Sequence, residues 1–261
     1  MIYLDNAATT KPCDEAKAAV MKGLEVFGNP SSLHRAGLDA ELLVSDAREI
    51  IADALGVTPD EVYFTSGATE SNNTAIFGAY KAHGKRKKRV VISSVEHPAV
   101  KNPAQELEDM GCEVIRISPD ENGEINARDI FAAVNEDTFL VSCMLVNNEN
   151  GYILPVEKAF SMIKKKYPQV LTHCDCVQGF MKIPVKAKKL NADMISLSGH
   201  KIYAPKGIGA LYVKKGIHIP PFMLGGGQEK GFRSGTESVP LICGFGAAVK
   251  KLAPNVSANF E

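Results

Sequence analysis

The sequence of 261 residues carries thirty basic and thirty acidic side chains, so its formal net charge is zero and gives no electrostatic reason to expect binding to nucleic acid or to an anionic membrane. Apolar residues make up 45% and charged residues 23%, which is typical of a soluble globular protein. No apolar stretch approaches a membrane span, and "MIYLDNAATT" lacks the regions of a signal peptide, so we expect no membrane association and a cytoplasmic location.

Predicted strands and helices alternate along the chain. The first is a helix over residues 40–56, whose apolar residues recur at helical spacing and which stops at Gly56, with Ser31 or Ser32 as candidate caps of its start. Strands are predicted at residues 61–67, 89–94, 112–118, 138–147, 169–176, 193–198 and 209–215. Helices are predicted at residues 68–84, 98–111, 126–134 and 155–167, and residues 250–261 are predicted to be a helix end followed by a polar tail.

This alternation predicts an α/β fold with a mainly parallel central sheet and helices on both faces. The nearly continuous apolar strands fit burial on both faces of the sheet. In such sheets ligands bind outside the carboxyl ends of the strands, and polar clusters follow five of the predicted strands. The clusters are residues 66–69, residues 96–97, residues 147–149, Asp175 with Gln178, and residues 198–201.

Several of these residues have both a functional and a structural interpretation. Residues 66–69 join a strand to a helix. Free backbone N–H groups at such a junction can form a phosphate-binding site; alternatively, these residues are a plain loop with Thr69 as a helix cap. Asp175 can stabilise a protonated ring nitrogen or cap a turn. His97 can stack on a flat ligand and carry protons, or be a hydrogen-bonded turn residue.

Three further residues are equally open on local grounds. Asn148 and Gln178 can bind a ligand hydroxyl or satisfy backbone groups. Lys201 is costly to bury unless it is paired, neutral or covalently occupied, so it either extends into water or takes part in chemistry.

The cysteines predict neither disulfides nor a metal site. In a reducing cytosol they are expected to be buried thiols. His173, Cys174 and Cys176 lie close in sequence, but strand alternation directs Cys174 away from His173 and Asp175. Cys176 is the cysteine nearest to the predicted site. The six are Cys13, Cys112, Cys143, Cys174, Cys176 and Cys243.

Taken together, a phosphate-binding site, a strand-end carboxylate, a histidine and a strand-end lysine are what pyridoxal 5'-phosphate requires. Lys201 would form a Schiff base with its aldehyde, and Asp175 would keep its pyridine nitrogen protonated. Because glycine has no side chain, we expect Gly199 and Gly207 to let the backbone pass close beside the cofactor.

The sequence resembles the cysteine desulfurases, in the class V aminotransferase group of fold-type I pyridoxal phosphate enzymes. Eight motifs in family order carry the resemblance: "YLDNAATT", "NPSSLHRAG", "FTSGATESNN", "EHPAV", "VNNENG", "HCDCVQ", "SLSGHKIYAPKGIGALYV" and "GGGQEKGFRSGTESVP".

The resemblance implies a role for each site residue. Lys201 and His97 would be catalytic, with Lys201 carrying the cofactor and His97 stacking on its ring. Asp175 would pair with the pyridine nitrogen, and Gln178 and Asn148 would flank the ring hydroxyl. The phosphate would be held by Ala68, Thr69, Ser198 and His200, and by Thr236 reaching the neighbouring subunit of a homodimer.

The resemblance covers the cofactor domain only. We expect an N-terminal segment at 1–15, a pyridoxal phosphate-binding large domain at 16–250 and the start of a truncated C-terminal region at 251–261. The family's sulfur-accepting cysteine and its arginine for the substrate carboxylate have no counterpart here, and Gln228 stands where many members have His.

The resemblance implies a cysteine desulfurase, here in a truncated form that lacks the sulfur-accepting cysteine and that we do not expect to desulfurate cysteine at a useful rate. Such an enzyme converts L-cysteine to L-alanine and passes the sulfur to a protein cysteine as a persulfide, for iron–sulfur or thiolation pathways. A sulfur-acceptor or scaffold protein is the expected partner of the full-length enzyme. The alternatives are another class V enzyme, such as a selenocysteine lyase or an aminotransferase, and a non-catalytic fragment that only binds the cofactor or dimerises.

Overall fold

A computed structural model describes residues 2–260; Met1 and Glu261, the outer ends of the two predicted terminal segments, lie outside the described residues. Its helices are α1 Asp14–Glu25, α2 Arg35–Leu55, α3 Ala68–His83, α4 Pro98–Asp109, α5 Ala127–Ala132, α6 Val156–Lys166, α7 Ala187–Leu190, α8 Val239–Leu252 and α9 Val256–Phe260. Its strands are β1 Val62–Thr65, β2 Arg89–Ser93, β3 Glu113–Ile117, β4 Thr138–Ser142, β5 Leu171–Asp175, β6 Met194–Ser198 and β7 Gly209–Val213.

The strands form one seven-stranded sheet in the order β1-β7-β6-β5-β4-β2-β3. Strands β2 to β6 pair in parallel, whereas β7 runs antiparallel to both of its neighbours. This confirms the predicted mainly parallel sheet. All seven predicted strands are present, although β4 ends at Ser142 and residues 143–147 leave the sheet towards the loop that carries Asn148.

The apolar side chains of the strands divide between two hydrophobic cores, one on each face of the sheet. In β2, for example, Val91 belongs to the core shared with α2, α6 and α8, whereas Val90 and Ile92 belong to the core shared with α3 and α4. Because both faces are buried, the strands are apolar at successive positions and lack the polar alternation of a half-exposed sheet. Helices therefore cover both faces, as predicted.

The long helix α2 ends as the sequence predicts but starts differently. Gly56 follows its last residue with φ 71°, a left-handed conformation that terminates the helix. At the start, however, the capping residue is His34, whose side chain accepts a hydrogen bond from the amide of Gly37. The prediction of Ser31 or Ser32 as the cap is wrong, because the amides of both serines are turned back onto Asn29 in a preceding turn.

Two helices at the chain ends depart from the predicted pattern. Helix α1 was not predicted, and it packs against α8, which also packs against α2. The helix end predicted within residues 250–261 is confirmed, since α8 runs to Leu252, but the tail that follows it is helical at Val256–Phe260, where it forms α9. The division into segments 1–15, 16–250 and 251–261 stays a prediction. Across residues 2–260, no helix combines the length and apolar character that a bilayer crossing needs.

Candidate cofactor-binding active site

One cavity of about 840 Å³ lies where the predicted polar clusters meet at the carboxyl ends of the strands. Residues 66–70 after β1, the loops after β2, β4 and β5, and the turn after β6 all contribute to its wall. Of the predicted site residues, it is lined by Ala68, Thr69, His97, Asn148, Asp175, Gln178, Ser198, His200 and Lys201. Thr236 is exposed and lies away from this wall.

The turn between β1 and α3 presents unbonded amide groups to the cavity. Gly67 precedes the helix, and within the described chain the amides of Ala68, Thr69 and Glu70 donate to no acceptor. Such amides, together with the positive end of the helix dipole, form an anion-binding site. Thr69 is the second residue of the helix, so the alternative in which it caps the helix is wrong.

A tight backbone contact holds this turn in place. A Cβ atom at Gly209 of β7 would lie 2.7 Å from the Cα atom of Gly67 and 2.5 Å from the carbonyl oxygen of Leu197, so only glycine fits at this position. The predicted role of Gly199 is wrong in its detail: it does not line the cavity, and a Cβ atom there would meet Ile208 at 2.9 Å. Gly207 does line the cavity, with φ 83°.

Asp175 is a buried carboxylate at the end of β5. It is 5% exposed, and its two oxygens accept hydrogen bonds from the Val177 amide at 3.0 Å and from Asn72 Nδ2 at 2.8 Å. Burial raises the pKa of the Asp175 carboxyl, and these two hydrogen bonds together with the nearby His97 and Lys201 oppose that effect. These hydrogen bonds therefore fix the orientation of the carboxylate, and its negative charge can still pair with a positively charged group of a ligand.

Lys201 lies in the turn that follows β6. Its Nζ atom donates to the carbonyl oxygens of Ala7 and Ala8 at 2.5 and 2.7 Å. Burial lowers the pKa of Lys201, while the carboxylates of Asp5 and Asp175 raise it. A lysine whose pKa is lowered by burial is a better nucleophile near neutral pH than an exposed one. Lys201 is thus held at the cavity by backbone carbonyls, and its chemical role stays a prediction.

The N-terminal segment forms a wall of the cavity that sequence reasoning missed. Asp5, Ala7, Ala8 and Thr9 line the cavity, and Thr10 anchors the segment because its amide and hydroxyl both donate to the carbonyl of residue 200. The segment has no helix or strand that periodicity could reveal. The motif "YLDNAATT" was the only sequence signal for it.

His97 is a hydrogen-bonded residue that also lines the cavity, so one of its two interpretations is confirmed and its ligand role stays a prediction. Its Nδ1 atom accepts a hydrogen bond from the amide of Ala99 at 3.1 Å and so caps α4. An imidazole that accepts through Nδ1 carries its proton on Nε2 when neutral. His97 therefore lines the cavity in a fixed tautomer, as a cap and as a candidate ligand contact.

Its neighbour Glu96 is a buried carboxyl group that links two loops of the site, a structural role that the sequence did not reveal. It is 1% exposed; its Oε1 atom accepts hydrogen bonds from Ser93 Oγ and, at 2.7 Å, from the Met144 amide, while Oε2 has no partner. Burial raises its pKa to about 8, so Glu96 is mainly protonated at neutral pH. It joins the loop after β2, which carries His97, to the loop after β4.

The cysteines do not reach the cavity. Cys174 and Cys176 are fully buried, with their sulfur atoms 3.4 Å apart in the core, so the proximity of Cys176 to Asp175 in sequence does not bring its thiol to the site. No cysteine within residues 2–260 lines the cavity.

His173 is also buried, on the other face of the sheet. It bonds Ser142 at 2.8 Å and Ser196 at 2.9 Å, and burial lowers its pKa to about 3. Among the described residues, no three His, Cys, Asp or Glu side chains gather as metal ligands.

The cavity fits pyridoxal phosphate on four observations. The free amides of α3 match a phosphate, and the Lys201 amine matches an aldehyde. Asp175 is buried and makes no ion pair with any described residue, which suits a protonated ring nitrogen. The Oδ1 atom of Asn72, beside Asp175, is buried without a partner.

Comparison with known proteins agrees with this fit. A NifS/IcsS protein homolog from Lactobacillus delbrueckii subsp. bulgaricus is 46% identical over 254 residues, which cover 97% of this chain and 66% of that protein. The cysteine desulfurase IscS of Dictyoglomus turgidum is 44% identical over 250 residues, covering 95% of this chain and 63% of that protein. The chain thus spans less than two thirds of the length of these relatives.

Solved structures show the same fold. A NifS-like protein superposes with a TM-score of 0.95 at 41% identity, covering 98% of this chain and 70% of that one. A structure described as SspA in complex with cysteine gives a TM-score of 0.93 at 39% identity, covering 97% of this chain and 73% of that one. Class V aminotransferases and cysteine desulfurases use pyridoxal phosphate. Because the model of the family described as Aminotransferase class-V matches residues 2–259, the chain belongs to that family.

Proposed function

We propose that this chain is the pyridoxal phosphate-binding part of a cysteine desulfurase. The observation that carries the proposal is one cavity that holds the Lys201 amine, the buried Asp175 carboxylate and the free N-terminus of α3. When bound, the cofactor supplies a carbonyl carbon for an amine and a ring that withdraws electrons from the substrate Cα.

Asp175 would pair with the pyridine nitrogen of the cofactor. Its carboxylate would favour a proton on that nitrogen, because an opposite charge in a buried setting favours the protonated form. Asn72 and the Val177 amide keep the carboxylate oriented, since each bonds a different oxygen. This arrangement leaves the negative charge of Asp175 to be neutralised by the ligand.

The amides of residues 68–70 and the hydroxyl of Thr69 would hold the phosphate, together with Ser198 and His200, which line the same cavity. Lys206 also lines the cavity and adds positive charge. The carboxylate of Glu70 would repel a phosphate, but it is neutralised by Arg233, whose Nε lies 2.7 Å from it.

Proton transfer at the substrate Cα falls to Lys201, with His97 on the wall of the same cavity. Lys201 is the better candidate base, because burial lowers its pKa towards the working pH. The N-terminal segment holds this amine at the cavity, since the carbonyls of Ala7 and Ala8 both accept hydrogen bonds from it.

L-cysteine is the proposed substrate, supported by the relatives named cysteine desulfurases and by the cysteine complex of SspA. A protein thiolate attacks the substrate sulfur, the Cβ–S bond breaks, and its electron pair takes up a proton. The products are L-alanine and a protein persulfide. We propose that the accepting thiol is none of the six cysteines of this sequence, because none of them lines the cavity.

A homodimer and a cytoplasmic location complete the proposal. Thr236 is exposed, and two ion pairs, Arg48 with Glu229 and Arg233 with Glu70, anchor the segment that precedes it, which supports its proposed role in reaching a second copy. In the dimer it would bind the phosphate of the partner subunit. A sulfur-acceptor or scaffold protein would receive the persulfide sulfur.

Exchange of the substrate Cα proton tests the proposal without requiring a sulfur acceptor. The chain is loaded with pyridoxal phosphate in D₂O, and loss of the Cα–H signal of L-alanine and L-cysteine is followed by NMR. We expect exchange with the parent chain and none above background with Lys201→Ala. Failure of the parent chain to bind the cofactor, or equal exchange by both proteins, would overturn the proposal.

A further inference from the structure

A second lysine, Lys182, lies behind the wall of the cavity. Its Nζ atom donates to Gln178 Oε1 at 2.5 Å. The side chain is half-buried, and no carboxylate pairs with it among the ion pairs of residues 2–260. A half-buried ammonium group without a counter-ion is costly, so its one hydrogen bond to an amide oxygen calls for an explanation.

This contact fixes which end of the Gln178 amide faces the cavity. A lysine ammonium group donates hydrogen bonds and accepts none, so the oxygen of Gln178 has to face Lys182. The NH₂ group of Gln178 then points to the other side, where it donates to the carbonyl oxygen of Ala7 at 2.9 Å. One N–H of this NH₂ group is used by Ala7, so Gln178 offers the cavity its second N–H, which is a donor and not an acceptor.

The backbone between the two residues is bent to make this contact. Met181 has φ 60°, in the left-handed region that a side chain such as methionine rarely adopts. The turn is closed by the Lys182 amide, which donates to the carbonyl of Gly179 at 3.1 Å. An unfavourable conformation persists only where its surroundings enforce it, and the residue that follows this one is the lysine that bonds Gln178.

We propose that Lys182 is a positioning residue that locks the amide of Gln178 with its NH₂ group towards the ligand. The group recognised by Gln178 is then a hydrogen-bond acceptor, which in pyridoxal phosphate is the ionised ring hydroxyl. The inference rests on the proposed function and adds to it the direction of this hydrogen bond. Lys182 acts through Gln178 and does not itself line the cavity.

The test is a double-mutant cycle read by equilibrium binding of pyridoxal phosphate, followed through its visible absorbance. We expect Lys182→Met to weaken binding about tenfold, because a charge-assisted hydrogen bond is lost. Lys182→Arg keeps a donor and should restore most of the affinity. In a Gln178→Ala background, Lys182→Met should change the affinity less than about twofold, because the group through which it acts is gone.

Lys186→Met is the matched control. Like Lys182, Lys186 donates hydrogen bonds to oxygen acceptors, here two to the carbonyls of Asp53 and Ala54, but it lies away from the cavity. The Lys186→Met variant should melt at a lower temperature than the parent and bind pyridoxal phosphate with the same affinity. Binding by Lys182→Met within twofold of the parent, or an equal loss in the Gln178→Ala background, overturns the inference alone. A parent chain that binds no cofactor overturns the proposed function as well.

Discussion

Replacement of Glu96 by Gln should abolish a pH dependence of stability that the buried carboxyl group imposes. The pKa of Glu96 rises from an ordinary value of 4.5 to about 8 on folding. Between these pH values the folded state keeps a proton that the unfolded state has released, so the free energy of unfolding falls as the pH rises. At 1.36 kcal/mol per pKa unit, the loss reaches at most about 5 kcal/mol at pH 8.

Gln resembles the protonated carboxyl group, and its oxygen can accept the same two hydrogen bonds from Ser93 and Met144. Urea unfolding of both proteins at several pH values from 5 to 8 measures the effect. The parent should lose stability relative to Glu96→Gln by up to about 1.4 kcal/mol per pH unit. Glu96→Ala, which removes the acceptor, should be about 2–4 kcal/mol less stable than Glu96→Gln at every pH. Parallel curves for the parent and Glu96→Gln would refute a protonated Glu96.

Three further predictions concern the site and its supports. Asp175→Asn removes the charge that holds a proton on the ring nitrogen, so Cα–H exchange measured by NMR should slow by about a hundredfold or more; an unchanged rate would contradict its role. Arg48→Met leaves the carboxylate of Glu229, which is 5% exposed, without its bidentate partner, and urea unfolding should show a loss of about 3–5 kcal/mol; a loss below about 1 kcal/mol would argue against this anchor. Gly209→Ala places a Cβ atom 2.5 Å from a carbonyl oxygen of β6, so thermal melting should reveal a loss of about 2 kcal/mol or more together with weaker cofactor binding; wild-type values for both would show that the contact relaxes freely.

The sheet and the strand-end residues were predictable because their signals are local. A strand buried on both faces is an apolar run, and the polar residue that ends it marks the carboxyl edge of a parallel sheet. Asp175, Lys201 and His97 were found in this way, and the structure places them around one cavity. The antiparallel direction of β7 is not encoded in such a pattern, because it depends on the path of the chain between strands.

The parts that were missed depend on tertiary contacts. Helix α1 escaped prediction because it buries small residues, Ala16 and Gly23, while Met21 and Leu24 are exposed, so its apolar residues do not mark the face that packs against α8. The wall formed by the N-terminal segment requires Thr10 to meet a residue 190 positions away. No period or propensity reports such a contact.

Glu96 and Lys182 show the same limit at single residues. Glu96 follows a predicted strand, but its protonation depends on complete burial against the loop that contains Met144. Lys182 looks like any surface lysine until the left-handed Met181 turns it onto Gln178. Charge states and amide orientations of this kind follow from packing, and the sequence alone offers no measure of them.

The central claim is that Lys201 is the lysine that carries the cofactor, and covalent mapping tests it most directly. The chain is incubated with pyridoxal phosphate, reduced with borohydride, digested and analysed by mass spectrometry. The account predicts one stoichiometric pyridoxyl group on the peptide that contains Lys201, and none in Lys201→Ala. Stoichiometric label on another lysine, with Lys201 unmodified, would contradict it.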